Sequence, residues 1–413
     1  MNETLFLALM DPAGAPAHPL IFLVLGVVTF ALHIAAVALL LGTLVLAIRG
    51  AIFSRDAYAQ RLARPAAFTA KFVVGMVIVL GVAPLLFVQV VYDPFWYTSS
   101  MLSAGWTLAF LVLVLAGYLA LYVFALANDE GGENAGPGLR RASWLVVSLI
   151  VFIAGGWVIH SLSTQQLLPS EFMQWYAPQG RVDPSGRALH YSSIPRLVFF
   201  LGLAFPITAA WLFGMRAYLL GSQERDGGYI DYLEMTGRRT AFIGGIVLLV
   251  SGASWMLTLP ASMQWFASSI WPWAGLVPVI FFLALPALQK KRRLCIPCNY
   301  GMFLMSIVMT IVLAALREVL RYGTLLQAAG YDAMQYKVNF DLPSTVIFFV
   351  TFLLIGGVAL AYMIRLAWQA GRPQGAMTVS AGTERLGTAA VALLLAWVAG
   401  YFIIGIATIT GAG

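Results

Sequence analysis

The sequence predicts an all-α, polytopic transmembrane helix bundle of about ten spans, and three observations support this fold class. Hydrophobic residues make up 61% of the chain and charged residues only 10%, whereas an average soluble domain has about 25% charged residues. Apolar runs recur from end to end, and at roughly 20 residues each is long enough to cross about 30 Å of hydrocarbon as a helix. Basic residues fall in alternate loops rather than along one surface. We therefore expect a lipid-facing surface, no sizeable soluble domain and no nucleic-acid partner.

The predicted spans follow one another closely along the chain. The first lacks a basic leader and is too long for the apolar core of a removable signal peptide, so we expect it to remain as a membrane span. The predicted spans are 19–48, 67–92, 102–127, 143–167, 195–220, 240–260, 270–288, 300–320, 344–366 and 386–408.

Loop charge predicts the orientation of the chain. The odd-numbered loops hold the basic clusters, so the positive-inside rule assigns them to the cytoplasm and both termini to the outer, periplasmic side. The even-numbered loops agree, since 92–100 and 264–273 are rich in the aromatic residues of membrane interfaces. The long outer segment 164–196 is a candidate surface cap. The basic loop residues are Arg49, Arg55, Arg61, Arg64, Arg140, Arg141, Arg216, Arg225, Arg238, Arg239, Lys290, Lys291, Arg292, Arg293, Arg365, Arg372 and Arg385.

An internal repeat predicts that the first eight spans form two parallel four-helix units. Gln89 and Trp96 recur after 175 residues as Gln264 and Trp271, each pair at the outer end of a matched span. Matched spans cross in the same direction, as in a parallel duplication. Chance similarity among apolar helices is the alternative. The predicted organisation is an outer N-terminal segment, a first unit, an outer loop, a second unit and two additional helices, at 1–18, 19–167, 168–194, 195–325 and 344–408.

Two histidines lie inside predicted spans, where ligating residues are functional candidates. His33 lies in span one and His160 in the outer half of span four, 16 and 19 residues from the basic inner ends of their helices. Their depths differ by about 5 Å, so one iron reaches both if the spans are neighbours. A neutral imidazole ligates haem iron without bringing charge into lipid. The alternative is that each ring only hydrogen-bonds across helices. Because the matched positions in the second unit are Ala209 and Glu318, a haem belongs to the first unit alone.

Other polar residues near the outer ends of spans are candidates for cofactor binding. Arg317 and Glu318 suit a role in binding a haem propionate or passing protons, and a local ion pair on one helix is the alternative. Gln89 and its counterpart Gln264 are candidates for a hydrogen bond to a quinone carbonyl, or simply face the water interface.

The two cysteines form a CxxC pair in a loop predicted to be cytoplasmic. Cys295 and Cys298 therefore imply no disulfide framework. The spacing is that of a metal or redox pair, but one pair supplies half of a four-ligand zinc site. The preceding run 290–293 is explained as an inner-face anchor.

The start of the chain carries a family resemblance. His33 is followed nine residues later by Gly42, and span two continues through Gly81 and Gln89 to an aromatic turn at Trp96. This stretch resembles the first two helices of subunit I of cytochrome bd-type quinol oxidases, in which a histidine at this spacing ligates the high-spin haem. That family also has an outer N-terminus and two four-helix bundles. The resemblance implies that His33 ligates a b-type haem in a subunit of a respiratory complex of the bacterial inner membrane.

Departures from the family narrow the expected function. Residues 105–128 contain no acid, residues 195–216 contain no second histidine, and the quinol-binding outer loop shrinks to 264–273. Oxygen reduction by this chain alone is therefore not expected. We expect haem b on His33, with His160 as second ligand or support, and electron exchange between quinol and a partner at the outer face, such as a periplasmic cytochrome c or another membrane subunit. A cofactor-free transporter and a structural or assembly subunit are the alternatives, although a transporter usually has more polar residues in mid-membrane.

Overall fold

The structure is a computed structural model that describes residues 8–129, 141–221, 226–370 and 378–409. Within these ranges the regular elements are helices, and one isolated bridge joins Ala15 and Val338. The all-α fold predicted from the sequence is therefore confirmed. The basic loop residues Arg140, Arg225 and Arg372 lie outside the described residues, as do residues 1–7 of the predicted N-terminal segment.

Ten helices in the described part of the chain are long and apolar enough to cross a membrane. This number agrees with the prediction, and the chain is a multi-pass membrane protein. The helices are α1 (Pro19–Phe53), α2 (Ala57–Val91), α3 (Ala104–Asn128), α4 (Ser143–Gln165), α5 (Ile194–Leu220), α6 (Gly227–Leu257), α7 (Trp271–Arg292), α8 (Ile296–Ala329), α9 (Thr345–Leu366) and α10 (Ala381–Ile403).

Several helices extend beyond the predicted apolar spans. The helix α2 begins ten residues before its predicted span, because Asp56 caps it by accepting a hydrogen bond from the Tyr58 N–H at 2.9 Å. Asp226 caps α6 in the same way, with the Tyr229 N–H at 3.1 Å. Hydropathy predicts the part of a helix that lies in lipid, whereas these caps set where the helical hydrogen bonding starts.

The helices form two compact units. The larger unit holds α1 to α8 within 8–13 and Pro19–Tyr336, and the smaller holds α9 and α10 together with Gly14–His18. In the larger unit α1 is central, since it packs against α2, α4, α5 and α8. The division of the first eight spans into two repeats stays a prediction.

Small residues set the close packing of α1. A Cβ at Gly42 would overlap the hydroxyl group of Thr208, so this glycine lets α1 and α5 cross in contact. Buried alanines of α2, including Ala59 and Ala66, lie in one core cluster with the second half of α1. In lipid the hydrophobic effect does not drive helices together, so close packing of small residues contributes to their association.

The loop between α7 and α8 differs from the expectation. The structure joins Cys295 and Cys298 in a disulfide, although the predicted cytoplasmic position implied none. The two residues are three positions apart in sequence, so the bond is local and links no distant elements.

Candidate cofactor-binding site

A large, mostly apolar cavity lies in the larger unit between α1, α2, α3, α4, α5 and α8. Its volume is about 560 Å³, within the range of roughly 300–1,000 Å³ found for ligand and cofactor pockets. Ionisable groups gather mainly toward one end, where α4 and α8 end and α5 begins, and we call this end the predicted outer face. The ionisable lining residues are His33, Tyr92, Tyr118, His160, Arg196, Arg317, Glu318 and Arg321.

The imidazole of His33 is held by the neighbouring helix α2. Its Nδ1 lies 3.0 Å from the carbonyl oxygen of Val77, and since a carbonyl oxygen only accepts, Nδ1 carries the proton. The ring rests against Gly81, where a Cβ would lie 2.8 Å from Cε1. Nε2 makes no hydrogen bond to the described residues. Metal-binding histidines commonly have this arrangement, with one ring N–H donated to a backbone carbonyl and the other nitrogen open.

The imidazole of His160 is engaged at both nitrogens. Its Nδ1 lies 3.0 Å from the guanidinium Nη1 of Arg196, and its Nε2 lies 3.2 Å from the carbonyl oxygen of Ser193. A guanidinium can only donate and a carbonyl can only accept, so the neutral ring accepts at Nδ1 and donates at Nε2. Arg196 also donates to the hydroxyl of Thr164 at 2.8 Å. His160 thereby fixes the position of Arg196.

A cluster of three arginines and one acid lies at the predicted outer end of the cavity. Glu318 accepts from Arg321 at 3.0 Å and from the hydroxyl of Tyr92 at 2.8 Å, and Arg317 lies 3.9 Å from the same carboxylate. The local ion pair considered from the sequence is thus present. Together with Arg196, the described lining residues carry three guanidinium groups and one carboxylate, a formal excess of two positive charges.

Aromatic rings cover part of this positive charge. The guanidinium carbon of Arg317 lies 4.0 Å from the ring centroid of Phe30, and that of Arg196 lies 5.2 Å from the centroid of Phe200. Such contacts contribute about 0.5–2 kcal/mol each, the upper end applying where water is excluded. This is too little to replace a counter-ion, so the excess charge remains.

A second cavity of about 280 Å³ lies beside the first, between α5, α6, α7 and α8. Arg317 and Phe200 belong to the linings of both cavities. Six aromatic residues contribute to its lining: Phe199, Phe200, Trp255, Phe266, Trp271 and Trp273.

The structure brings four of the six sequence-predicted site residues into one cavity. His33, His160, Arg317 and Glu318 line it. Gln89 and Gln264 line neither cavity, and the side-chain oxygen of Gln89 lies 3.4 Å from the hydroxyl of Tyr97. Arg196 was not among the predicted site residues, because the sequence places it at the end of the long outer segment 164–196. The available signal was an arginine in the first turn of an otherwise apolar span.

The fold is similar to that of a bd oxidase whose structure has been solved. The chain matches "The structure of bd oxidase from Geobacillus thermodenitrificans" with a TM-score of 0.60 and 15% sequence identity, over 85% of this chain and 98% of that chain. No protein-family model and no curated protein matches the sequence. At this level of identity the similarity establishes the fold alone. The chain thus has a cytochrome bd-like fold, as the resemblance in its first two spans predicted.

Proposed function

We propose that this chain is a haem-binding membrane subunit of a respiratory complex, which exchanges electrons between quinol and a partner at the periplasmic face of a bacterial inner membrane. The observation that carries the proposal is the excess of two positive charges in a buried, apolar cavity. Buried charge without a partner costs several kcal/mol, so the cavity favours an apolar ligand that bears two negative charges. Haem b, with two propionates on a flat apolar ring, has this chemistry.

The lining residues fit a haem in their hydrogen-bonding capacity as well as in charge. Nδ1 of His33 donates its proton to the carbonyl oxygen of Val77, so Nε2 has a free lone pair. This arrangement suits an axial ligand of haem iron. Arg317 and Arg321 suit the propionates, because a guanidinium donates paired hydrogen bonds to a carboxylate. Bound haem supplies reversible one-electron transfer.

His160 is better suited to support than to ligation. Iron binding at either ring nitrogen would require the loss of the hydrogen bond to Arg196 or to Ser193. We therefore assign His160 the role of holding Arg196 towards a propionate, which is the second of the two roles expected for it from the sequence.

The second cavity suits the quinol head group. Its aromatic wall offers stacking faces for a flat ring, and Arg317 and Phe200 lie between it and the haem cavity. Glu318, hydrogen-bonded to Tyr92, is a nearby group able to take up a proton that quinol loses on oxidation. These contacts support the second cavity as the quinol site more directly than they support Gln89. The quinone role of Gln89 stays a prediction.

A reduced-minus-oxidised spectrum of the purified chain from a haem-replete host tests the haem proposal. We expect a b-type band in the wild type, its loss in His33→Ala, and a band of lower intensity or shifted potential in His160→Ala. His190→Ala is the matched control, because His190 stacks on Trp175 at 5.0 Å outside both cavities and should leave the band unchanged. A wild-type protein without the band would refute the proposal.

A structural subunit without a cofactor is the second candidate function. It is favoured by the absence of acids from 105–128 and of histidine from 195–216, where the related family has ligands. A His33→Ala variant that assembles and supports respiration normally, in a complex whose wild-type chain lacks the b-type band, would establish this candidate instead.

A further inference from the structure

The loop between α7 and α8 carries a cysteine pair that the haem proposal does not use. Cys295 and Cys298 are disulfide-bonded at the start of α8, both are partly exposed, and the intervening Pro297 is exposed. A cross-link between residues so close in sequence constrains the unfolded chain less than one that closes a long loop. Stabilisation of the fold is therefore a weak reason for this bond, and its accessibility favours a chemical role.

The surroundings of the pair favour thiolate chemistry. Cys295 is the N-cap of α8, and its Sγ accepts a hydrogen bond from the backbone N–H of Cys298 at 3.3 Å. The same N–H and the positive end of the helix dipole would stabilise a thiolate at Cys295. The run Lys290 to Arg293, which Leu294 separates from Cys295, is basic and exposed throughout; it stabilises a thiolate further and attracts an acidic partner.

The backbone around the pair is anchored independently of the disulfide. Asn299 is fully buried, and its side-chain N–H donates to the carbonyl oxygen of Cys295 at 2.9 Å and to that of Arg292 at 3.4 Å. Arg216 of α5 donates to the carbonyl oxygen of Arg293. These bonds hold both sides of the loop, so the two sulfur atoms stay close when the bond between them opens.

We propose that Cys295 and Cys298 are a redox-active pair that takes two electrons from a small, acidic dithiol protein at the predicted cytoplasmic face. A thiolate of the partner attacks Sγ of Cys298, the disulfide breaks, and Cys295 leaves as the stabilised thiolate. The partner's second thiolate then attacks the partner's sulfur in the mixed disulfide and releases Cys298. The pair ends as two thiols, having gained two electrons and two protons, and the partner ends as a disulfide.

Competing roles for the pair have less support. A zinc site needs two more ligands, and the described residues contain no group of three or more His, Cys, Asp or Glu side chains that could hold a metal. The pair lies at the start of α8, whereas the haem-cavity residues Arg317 to Arg321 begin 19 positions after Cys298 along the helix. The two proposals are therefore separate.

Titration of the full-length protein in nanodiscs with glutathione buffers tests the exchange. We expect thiol labelling by a large maleimide to rise from no added label to two labels per chain as the ratio of reduced to oxidised glutathione increases, and to reverse when the ratio is lowered. Cys298→Ser, with one thiol, should show no such cooperative step. A disulfide that resists the most reducing buffer, or that does not re-form, would overturn the proposal.

The basic run Lys290 to Arg293 provides a second test, which distinguishes a redox-active pair from a disulfide with a purely structural role. Lys291→Gln combined with Arg292→Gln should slow reduction by an acidic dithiol protein by about tenfold, while reduction by neutral dithiothreitol should be unchanged. Equal effects on both reductants would contradict partner recognition.

The position of the pair relative to the membrane is tested with a membrane-impermeant maleimide after mild reduction. We expect labelling in inverted vesicles and none in right-side-out vesicles, because the loop is predicted to be cytoplasmic. The cytoplasm is also the compartment that keeps thiols reduced. The reverse result would overturn the proposal. Cys295→Ser should leave the b-type band unchanged, so failure of this inference is distinguishable from failure of the haem proposal.

Discussion

His33 and His160 line the same cavity, yet their hydrogen bonds give them different chemistry. His33 donates from Nδ1 to a backbone carbonyl and keeps Nε2 open, whereas His160 accepts from Arg196 and donates to the carbonyl of Ser193. The sequence alone could predict both histidines as candidate haem ligands inside the membrane, since each interrupts an apolar span. It could not distinguish them, because the partners belong to other helices or to residues more than 30 positions away.

The contact between His33 and Gly81 leads to a prediction about haem binding. In Gly81→Ala the new methyl group would lie 2.8 Å from Cε1 of an imidazole that is held by Val77. Displacing the ring should weaken haem binding by about tenfold, which corresponds to about 1.4 kcal/mol. Haem content per protein, from the absorbance ratio during haem titration, provides the measurement.

Gly75→Ala in the same helix is the matched control, because a Cβ there would meet nothing within 4 Å. It should bind haem normally and gain up to about 1 kcal/mol of stability from the better helix former. Equal haem content in both variants would show that the ring of His33 does not need the space at Gly81.

A buried carboxyl group outside the spanning helices predicts a pH dependence of stability. Asp93 is 5% exposed; its Oδ2 accepts from the Asp11 N–H at 2.8 Å and from the Tyr336 hydroxyl at 2.9 Å, and its Oδ1 has no hydrogen-bond partner among the described residues. Burial raises the pKa of Asp93 above its ordinary value of 3.8. A raised folded-state pKa means that the folded protein binds the proton more tightly than the unfolded chain does. The resulting stabilisation is complete below the unfolded-state pKa of 3.8 and is lost as the pH rises through the folded-state pKa.

Comparison of wild type with Asp93→Asn isolates this effect, because the amide stays neutral at every pH. We expect the variant to be more stable than wild type at pH 7, by about 1–3 kcal/mol, and the difference to shrink as the pH falls towards 4. Melting temperatures in detergent between pH 4 and 8 provide the measurement. Two parallel curves would mean that Asp93 does not titrate differently in the folded state.

At the level of helices, the sequence predicted the number of membrane-crossing elements but not their lengths. Apolar composition fixes where a helix lies in lipid, so all ten spans were recognisable. The helix α8 runs to Ala329, nine residues beyond its predicted span, because Gly330 ends it in a left-handed conformation (φ 62°) that glycine adopts without strain. Such ends depend on caps and turns, which hydropathy does not report.

The end of α5 and the start of α6 are joined by a buried ion pair, and its loss should destabilise the fold. Arg216 and Glu234 lie 3.2 Å apart, with side-chain exposures of 3% and 9%. Glu234→Gln leaves the arginine buried without its counter-charge, and we expect a loss of about 3–5 kcal/mol in the free energy of unfolding. Denaturant or thermal unfolding in detergent measures this loss.

The exposed pair Arg61 and Asp226 serves as control, since its side chains are 40% and 35% exposed. Arg61→Gln should cost less than about 1 kcal/mol. Replacing both buried partners, in Arg216→Met with Glu234→Leu, should recover part of the loss. A double variant as unstable as Glu234→Gln would mean that the hydrogen bond from Arg216 to Arg293 matters more than the ion pair.

At the scale of the whole molecule, the candidate site is a product of the tertiary fold. Six helices contribute to the first cavity, and Arg196 reaches His160 from 36 positions further along the chain. The sequence predicted the acid and one arginine of the cluster, since these lie within one turn of α8. The lining residues of α8 carry a formal excess of one positive charge, and the second positive charge is added when α5 brings Arg196 to the same cavity.

The orientation of the whole chain in the membrane is the prediction on which both proposals about partners depend. Basic odd-numbered loops predict that the C-terminus is periplasmic and that the α7–α8 loop is cytoplasmic. Alkaline phosphatase fused after Gly413 should therefore be active and green fluorescent protein at the same site dark, with the reverse result for fusions after Arg293. Because the ten spans alternate in direction, a fluorescent C-terminal fusion would reverse the side of the membrane that is assigned to every loop. It would place the cysteine pair in an oxidising compartment and the arginine cluster at the cytoplasmic end, so a periplasmic electron partner could no longer reach the cavity from that side.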